Sequence, residues 1–358
     1  MAETSVPSNA QVQQWDNDYF VDYVNRDWFK KFSGMGSSSI IQVKEDLTTK
    51  PGGIITLHLV NKLTGIAKNH YETLEGQEED LTLRTHDINI REYSHAVKWP
   101  KYQEQLTAID LRAAHKDALM TWNMELDRDN IIDQLMSING VLYENATEAQ
   151  KDAWLVDNVD RCLFGASTSN SSSLDHSTAL ATIDNTADKF SPEMVALMKR
   201  MAKAASPKVR PFKAKTSAGD VDTYVVFANS RAIRDLKANT TYQQQLRDAG
   251  ARGWDNPIFT GADLVVDNCP IYEIEDIPVV SSSIVVSPIF MCGAQALGKA
   301  WAMRPTTVDD EFDYRRKHGL AIKQWYEVSK LRFGTGTTDQ SDYKDHGVVT
   351  AWAAAVAD

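Results

Sequence analysis

The chain has 358 residues, of which 42% are hydrophobic and 24% charged; these ordinary values exclude a disordered or fibrous protein. The formal net charge of -11 argues against tight sequence-independent binding of nucleic acid, because that affinity depends on lysines and arginines displacing counterions from phosphates. The N-terminus lacks a basic segment followed by an apolar one, and no apolar run approaches the roughly 18 residues of a membrane-spanning helix. We therefore expect a cytosolic protein with one large core or two smaller ones.

Aromatic residues recur in the polar N-terminal segment. Between Trp15 and Phe32 they have the three- and four-residue spacing of a short amphipathic helix. Such a helix either packs on its own domain or docks on a neighbouring subunit, since aromatic side chains are common interface anchors. The candidate anchors are Trp15, Tyr19, Trp28 and Phe29.

Residues 54–98 contain two stretches in which apolar and polar residues alternate, the pattern of β-strands. A charged segment, KLTGIAKNHYETLEGQEED, separates the two stretches, and the arrangement predicts a long hairpin. A two-stranded hairpin is only marginally stable alone in water. It must therefore lie on its own core or on another copy of the protein.

Four acidic residues, Glu75, Glu78, Glu79 and Asp80, cluster near the end of this charged segment. They could act as an acid–base pair or bind a cation. Acid–base catalysis requires two groups whose surroundings push their pKa values apart, whereas adjacent charges in a loop are usually solvated alike. We expect them instead to pair with Arg84, with Arg91 or with arginines of a neighbouring copy.

Apolar residues recur at helical spacing over residues 101–140, and this pattern predicts one helix nearly 60 Å long at about 1.5 Å per residue. Pro100 precedes it, and Asn139 with Gly140 is expected to end it. A helix of this length would form a spine along which other elements pack.

Further along, Ser191 is expected to cap a helix that begins at Pro192, with its methionines in the core. A buried strand over 222–228, a helix over 230–246 and short strands over 264–266 and 271–274 predict an α/β subdomain. Strands are also predicted over 279–292 and 319–333.

Motifs for catalysis or cofactor binding are incomplete in this sequence. The glycine-containing segments at Gly34 and Gly334 lack the third glycine of a dinucleotide fingerprint, and there is neither a phosphate loop nor an HExxH motif. Cys162, Cys269 and Cys292 fit neither a disulfide framework nor a zinc site, and we expect them to be buried small hydrophobic residues. The sequence therefore predicts no catalytic, cofactor or metal site.

Five long strings of the sequence are informative together. They are YETLEGQEEDLTLRTHDINIREYSHAV (71–97), YVVFANSRAIRDLK (224–237), RGWDNPIFTG (252–261), GAQALGKAWAMRP (293–305) and EFDYRRKHGLAIKQWYEVSKLRFG (311–334). They resemble the N-four-like major capsid family of tailed phages, whose members have the Hong Kong 97-type fold. The resemblance spans most of the chain between Gly34 and Gly334.

This resemblance implies an α+β fold with a defined division of the chain. The expected parts are an N-terminal arm (1–48), an extended E-loop hairpin (49–99), a peripheral (P) domain with the spine helix (100–144) and its return strands (301–335), an axial (A) domain (145–300) and a C-terminal tail (336–358).

The resemblance also implies a function, the building of an icosahedral shell from hexamers and pentamers that encloses double-stranded DNA without sequence-specific binding. The expected location is the virion, after assembly in the cytoplasm of a bacterial host. The expected partners are further copies of the chain, a portal and separate scaffolding or decoration proteins, without a membrane. Candidate contact residues are Lys62, Lys68, Glu75, Glu78, Glu79, Arg84 and Arg91 in the hairpin, the arm aromatics, and Asn256, Pro257, Phe259 and Gly261 in the A-domain motif.

Two other functions remain open at this stage. An encapsulin-like bacterial compartment would use the same fold to enclose cargo enzymes, and a soluble enzyme could assemble a site from distant residues. Neighbouring genes for terminase and portal would favour the phage shell, whereas a cargo protein with a targeting tail would favour the compartment.

Overall fold

The computed structural model describes residues 29–45, 47, 52–63, 65–70, 73–107, 109–216, 219–250, 264–274, 276–336, 339 and 341–357. These residues fall into two compact units. The smaller unit includes Arg91–Asp127 and Met303–Trp325, and the larger unit includes residues 29–90, Arg128–Ala302 and residues 326–357.

Helices and strands alternate irregularly along the chain. The strands are β1 (Ser33–Gly34), β2 (Ile41–Lys44), β3 (Ile54–Val60), β4 (Leu83–Asn89), β5 (Arg91–Pro100), β6 (Cys162–Phe164), β7 (Phe212–Thr216), β8 (Gly219–Thr223), β9 (Val225–Ala228), β10 (Leu264–Val266), β11 (Cys269–Glu273), β12 (Val280–Ser281), β13 (Val285–Cys292), β14 (Leu297–Phe312), β15 (Lys317–Lys330), β16 (Arg332–Gly334), β17 (Tyr343–Asp345) and β18 (Val348–Ala354). The α-helices are α1 (Lys101–Leu106), α2 (Leu111–Met136), α3 (Glu148–Asp157), α4 (His176–Ala181), α5 (Pro192–Ala204), α6 (Ser230–Ala238) and α7 (Thr240–Gly250).

The larger unit is built on a mixed sheet with the strand order β10-β11-β9-β13-β18-β6, and β12 pairs with β13. Strand β13 is antiparallel to both β9 and β18, whereas β6 runs parallel to β18. Helices α5 and α6 cover one face, where Met198 and Ile233 join Val349 in a single apolar cluster. On the opposite face, Trp352 packs against Phe164 and His176. Both faces of the sheet are therefore buried.

Strand β18 lies inside this sheet, and all seven of its residues are buried. This strand lies within residues 336–358, for which only a C-terminal tail is expected from the sequence, although VVTAWAA is an apolar run of strand length. The resemblance to capsid proteins ends at Gly334 and gives no indication of the strand.

A buried ion pair joins the last strands of the larger unit to the end of α2. Lys330 Nζ lies 2.9 Å from Asp345 Oδ2, and the two side chains are 3% and 2% exposed. Lys330 Nζ also donates to the carbonyl of Leu135 at 3.3 Å, and Trp154 Nε1 donates to Asp345 Oδ2 at 3.2 Å. A buried charge pair requires such additional hydrogen bonds to offset its desolvation.

A second sheet has the order β1-β2-β14-β15-β5, and β14 and β15 contribute residues to both units. In the larger unit, β2 runs parallel to the first residues of β14. In the smaller unit, Trp99 of β5, Leu119 of α2 and Leu320 of β15 form the core.

The prediction of one helix over residues 101–140 is wrong, because the chain leaves helical geometry between α1 and α2. Thr107 is extended, with φ -109° and ψ 145°, and its Oγ1 accepts from the backbone N–H of Ile109 at 3.3 Å. Asp110 Oδ1 accepts from the backbone N–H of Ala113 at 3.1 Å. Short polar side chains that bond to the backbone in this way end one helix and cap the next.

The prediction that Asn139 and Gly140 end the long helix is also wrong, because α2 stops at Met136. Their φ values are 49° and 80°, and Ile138 and Val141 on either side exchange two backbone hydrogen bonds of 2.8 and 2.9 Å. An Asn-Gly pair with positive φ at both residues is typical of a tight two-residue reversal.

The predicted helix over 230–246 is interrupted at Asn239, which is extended and whose Oδ1 accepts from the backbone N–H of Thr241 at 2.9 Å. Other local predictions are confirmed. Ser191 caps α5 through Met194 N–H at 3.3 Å. The three cysteines are buried and unpaired. Among the described residues, no helix has both the length and the apolar character needed to span a membrane.

Candidate functional site: the exposed hairpin

Strands β3 and β4 form an antiparallel hairpin in the larger unit, with Ile55 opposite Ile88 and Val60 opposite Leu83. Its base packs on the core of that unit. Ile55 and Ile88 are 8% and 1% exposed and cluster with Ala300. Gly298 lies beneath them, and a Cβ at this position would come within 2.8 Å of Ile88 Cδ1. The absence of a side chain at Gly298 therefore permits the close approach of the hairpin base.

Apart from the residues packed at its base, the hairpin exposes most of its large apolar side chains to solvent. Among the described residues from 54 to 83, seven large apolar side chains are 55% to 86% exposed. They are Ile54, Val60, Leu63, Ile66, Leu74, Leu81 and Leu83. Isolated apolar residues are common on protein surfaces, whereas seven on one hairpin make this hairpin the candidate interaction surface.

Charged side chains accompany these apolar residues. Lys62, Lys68 and the four acids of the 75–80 cluster are all exposed. Two of the acids organise the segment, because Glu79 Oε2 accepts from the backbone N–H of Gly65 at 2.6 Å and Glu78 Oε2 accepts from that of Gly76 at 2.7 Å. The hairpin end thus presents an apolar surface with a largely acidic rim.

The first residues of β4 bond to the end of β15 and to the chain that follows it. Arg84 Nη2 donates to the carbonyl of Gly336 at 2.7 Å. Thr85 donates its backbone N–H to Asp339 Oδ1 at 3.0 Å and its hydroxyl to Asp339 Oδ2. His86 Nε2 lies 2.9 Å from Ser329 Oγ. The hairpin is therefore anchored immediately below its exposed part.

His86 is the titratable group of this anchor. Burial, reinforced by the positive charge of Arg332, lowers the pKa of His86 to about 4, although Asp87 opposes the shift. The imidazole is consequently neutral at ordinary pH.

The remaining candidate residues are distributed over the chain. Phe29 is 1% exposed and packs edge-on against Phe227, with 5.3 Å between ring centroids. For this aromatic residue, packing on its own domain is therefore favoured over docking on a neighbouring subunit. Arg91 begins β5 in the smaller unit. Trp15, Tyr19 and Trp28 lie outside the described residues, as do Asn256, Pro257, Phe259 and Gly261.

Two other clusters have features of chemical sites. In the smaller unit, a cavity of about 820 Å³ is lined by Glu104, Arg112, Asp309, Glu311 and His318 among others. The two ring nitrogens of His318 lie 3.9 Å from Glu104 and 3.8 Å from Glu311, and Arg112 pairs with Asp309. The charged groups of this cavity pair with one another, which favours a structural role.

In the larger unit, Glu148, Asp152 and Asp175 hold carboxylate oxygens within 4.8 Å of one another, a spacing that could hold a cation. Both aspartates already stabilise the start of α4. Asp175 Oδ1 accepts from Thr178 N–H and Asp152 Oδ1 accepts from His176 N–H, each at 2.8 Å. Helix capping therefore accounts for the two aspartates of this cluster.

The anchor residues Thr85, His86, Gly298 and Asp339 are not predicted from the sequence. Asp339 ends the string GTGTTD that begins at Gly334, and this string by itself indicates only an incomplete nucleotide-binding loop.

Known proteins similar to this chain include phage capsid proteins, and the similarity spans nearly the whole chain. The sequence profile of a family described as phage capsid protein matches residues 3–357. The major capsid protein of Pseudomonas phage KPP25 is 27% identical over 374 residues, covering 97% of this chain and 96% of that protein.

Two solved structures extend this similarity to the fold. A chain of the cyanophage Pam1 capsid asymmetric unit superposes with a TM-score of 0.87 at 27% identity, covering all of both chains. The capsid of Ralstonia phage GP4 superposes with a TM-score of 0.76 at 20% identity, covering 99% of both chains.

Proposed function

The chain belongs to the phage capsid protein family, and we propose that it builds its shell by docking the exposed β3–β4 hairpin on a neighbouring copy. Its capsid-forming role and its Hong Kong 97-type fold follow from the family match and the whole-length similarity to phage capsid structures. The observation that carries the docking proposal is the set of seven exposed apolar side chains on one hairpin.

Burial of these side chains supplies the driving force for docking. Complete burial of one leucine or isoleucine contributes about 1.5–3 kcal/mol. A subunit surface rich in such residues is a liability for aggregation unless a partner covers it. A second copy of the chain is the partner that a closed shell provides at every position.

The acidic rim gives the contact its orientation. Opposite charges across an interface select the register and discourage wrong pairings more than they add affinity. Glu75, Glu78, Glu79 and Asp80 would pair with basic side chains of the next copy, while Lys62 and Lys68 would meet acidic ones.

The division into an arm (1–48), an E-loop (49–99), a P domain (100–144 and 301–335), an A domain (145–300) and a tail (336–358) forms part of this proposal. In it, the A domains meet within each hexamer or pentamer and the hairpin reaches the P domain of the adjacent copy. Each contact can be weak, because a subunit held at several places at once dissociates far more slowly than any single contact would allow.

We also propose that the shell encloses double-stranded DNA, assembles in the cytoplasm of the host and works with a portal and separate scaffolding or decoration proteins. The net charge of -11 is compatible with enclosing DNA that remains mobile, since an acidic wall repels phosphates. An encapsulin-like compartment is not favoured, because the family and the relative are phage capsid proteins. A structural role within this family provides no evidence for an enzymatic one.

Charge reversal in the rim tests the docking. The variant Glu78→Lys/Glu79→Lys should remain folded but form few closed shells in negative-stain micrographs, whereas the wild type forms many. The matched control, Glu144→Lys/Glu193→Lys, changes the charge equally at exposed positions of the larger unit and should assemble normally.

Two results would contradict the proposal. If the rim variant loses folding and assembly equally, the hairpin belongs to the subunit core. If the rim variant assembles as well as the control, the hairpin is not an intersubunit contact.

A further inference from the structure

Within the loop between Gly334 and Asp342, which contains the string GTGTTD, two described residues, Thr335 and Gly336, bond back to Asp342 and Ser341. Thr335 donates its backbone N–H to the carbonyl of Asp342 at 3.1 Å and its hydroxyl to the same oxygen at 2.8 Å. Gly336 N–H donates to the carbonyl of Ser341 at 3.3 Å. A Cβ on Gly334 would collide with the backbone of Asp339, so the absence of a side chain at this position permits the tight closure.

This loop holds the hairpin through one carboxylate. Asp339 receives both hydrogen-bond donors of Thr85, its backbone N–H and its hydroxyl, one on each oxygen. Arg84, the preceding residue, donates to Gly336 in the same loop. These hydrogen bonds, with Arg84 and His58 nearby, hold the pKa of Asp339 below its ordinary value, so the carboxylate is charged at neutral pH.

These hydrogen bonds lie close to the exposed end of the hairpin and can fix its direction. Leu83, the residue before Arg84, is the last of the exposed apolar side chains. Ile55 and Ile88 hold the base of the hairpin on Gly298, and the loop bonds to β4 nearer its exposed end, at Arg84 and Thr85. A strand of seven residues is about 23 Å long, so a rotation of 10° about the base would move its far end by roughly 4 Å. The bonds at Arg84 and Thr85 oppose this rotation.

We propose that Asp339 is a positioning residue, which fixes the direction in which the hairpin projects and thereby presents it for docking on the next copy. The inference rests on the proposed function, because the direction of the hairpin matters only if its end binds a partner. It assigns a role to the GTGTTD string that is unrelated to nucleotides.

Spin labels measure this direction before assembly. Cys162, Cys269 and Cys292 are buried, and burial raises the pKa of the Cys292 thiol to about 12, so surface cysteines introduced at Lys68 and Arg200 should react selectively. In the unassembled Asp339→Ala subunit we expect a broader or shifted distance distribution between the labels and an unchanged circular dichroism spectrum.

Assembly provides the second readout. We expect Asp339→Ala to lower the yield of closed shells about tenfold, the effect of losing roughly 1.4 kcal/mol at a contact. Asp339→Asn is the matched control, because an amide can accept from Thr85 N–H and donate to its hydroxyl oxygen. It should restore both the narrow distance distribution and most of the shell yield.

The outcomes separate this inference from the proposed function. A wild-type distance distribution and a wild-type shell yield in Asp339→Ala, with assembly still lost in Glu78→Lys/Glu79→Lys, would overturn the positioning role alone. A broadened distribution with normal assembly would also overturn it, since the direction would then be irrelevant. Normal assembly of the rim variant would instead overturn the proposed function.

Discussion

Strand β18 and the β3–β4 hairpin use apolar residues in opposite ways. Every residue of β18 is buried, and the strand has hydrogen-bonded neighbours on both sides. In β3, by contrast, exposed residues alternate with less exposed ones, and the adjoining segment is exposed. The first arrangement stabilises the subunit itself, whereas the second leaves apolar surface for contact with another molecule. Mutations in β18 should therefore reduce the stability of the subunit, whereas mutations at the exposed end of the hairpin should reduce assembly.

The largest expected effect is on the sheet face that contains Trp352. This side chain is 2% exposed and packs against Tyr143, Phe164 and His176. Trp352→Ala should destabilise the unassembled subunit by about 3–5 kcal/mol through the cavity that it leaves. Urea denaturation measures this loss, and a change below about 1 kcal/mol would mean that the C-terminal strand is not part of the stable core.

A loss of similar size is expected at the buried ion pair. Lys330→Met removes the ion-pair partner of the buried Asp345, and breaking a buried ion pair from one side costs about 3–5 kcal/mol. The double variant Lys330→Met/Asp345→Leu should recover a large part of that loss, because two apolar side chains need no compensation. A double variant less stable than the single one would show that the hydrogen bonds to Leu135 and Trp154 matter more than the charges.

Acid should weaken the larger unit through three histidines. Burial is the first cause that lowers the pKa of each of His86, His176 and His346 from 6.5 to about 4. Between pH 6.5 and about pH 4 the unfolded chain therefore binds more protons at these histidines than the folded chain does. The three histidines leave the free energy of unfolding unchanged above pH 6.5 and lower it as the pH drops to about 4. The loss is of the order of 3 kcal/mol per histidine.

Urea midpoints at pH 7 and pH 4.5 measure this dependence. His176→Phe should reduce it, because a phenyl ring cannot be protonated and the Nε2 of His176 has no hydrogen-bond partner among the described residues. An unchanged dependence in the variant would exclude His176 as a contributor.

The smallest effect on stability is expected in the exposed hairpin. Ile66 and Leu74 are 86% and 69% exposed, so their replacement by serine should change subunit stability by less than about 0.5 kcal/mol. The same double variant should form fewer shells in negative-stain micrographs. Ile88→Ser is the buried counterpart in the same hairpin and should lose stability first. Equal losses of stability in the exposed double variant and in Ile88→Ser would contradict the separation of an exposed docking end from a buried base.

Some local features could be predicted because they depend on nearby residues. Ser191 followed by Pro192 is sufficient to begin a helix, and the alternation around Ile55 and Ile88 is sufficient to predict paired strands. The whole-length match to the Pam1 capsid chain confirms the α+β, Hong Kong 97-type fold. The division into arm, hairpin, P domain and A domain stays a prediction.

Other features could not be predicted because they depend on distant partners. The break at Thr107 depends on side-chain bonds to the backbone that compete with a strong helical pattern. The anchor between Thr85 and Asp339 joins residues 254 positions apart, and neither residue type indicates its partner.

By itself, the sequence determined the start of α5, the strands of the hairpin, the burial of the cysteines and, through family resemblance, the capsid fold. The tertiary structure alone decided that the C-terminal segment is an interior strand and that the loop after Gly334 anchors a hairpin. The physical reason is that periodicity and capping act over a few residues, whereas sheet order and side-chain anchors join residues that meet only after folding.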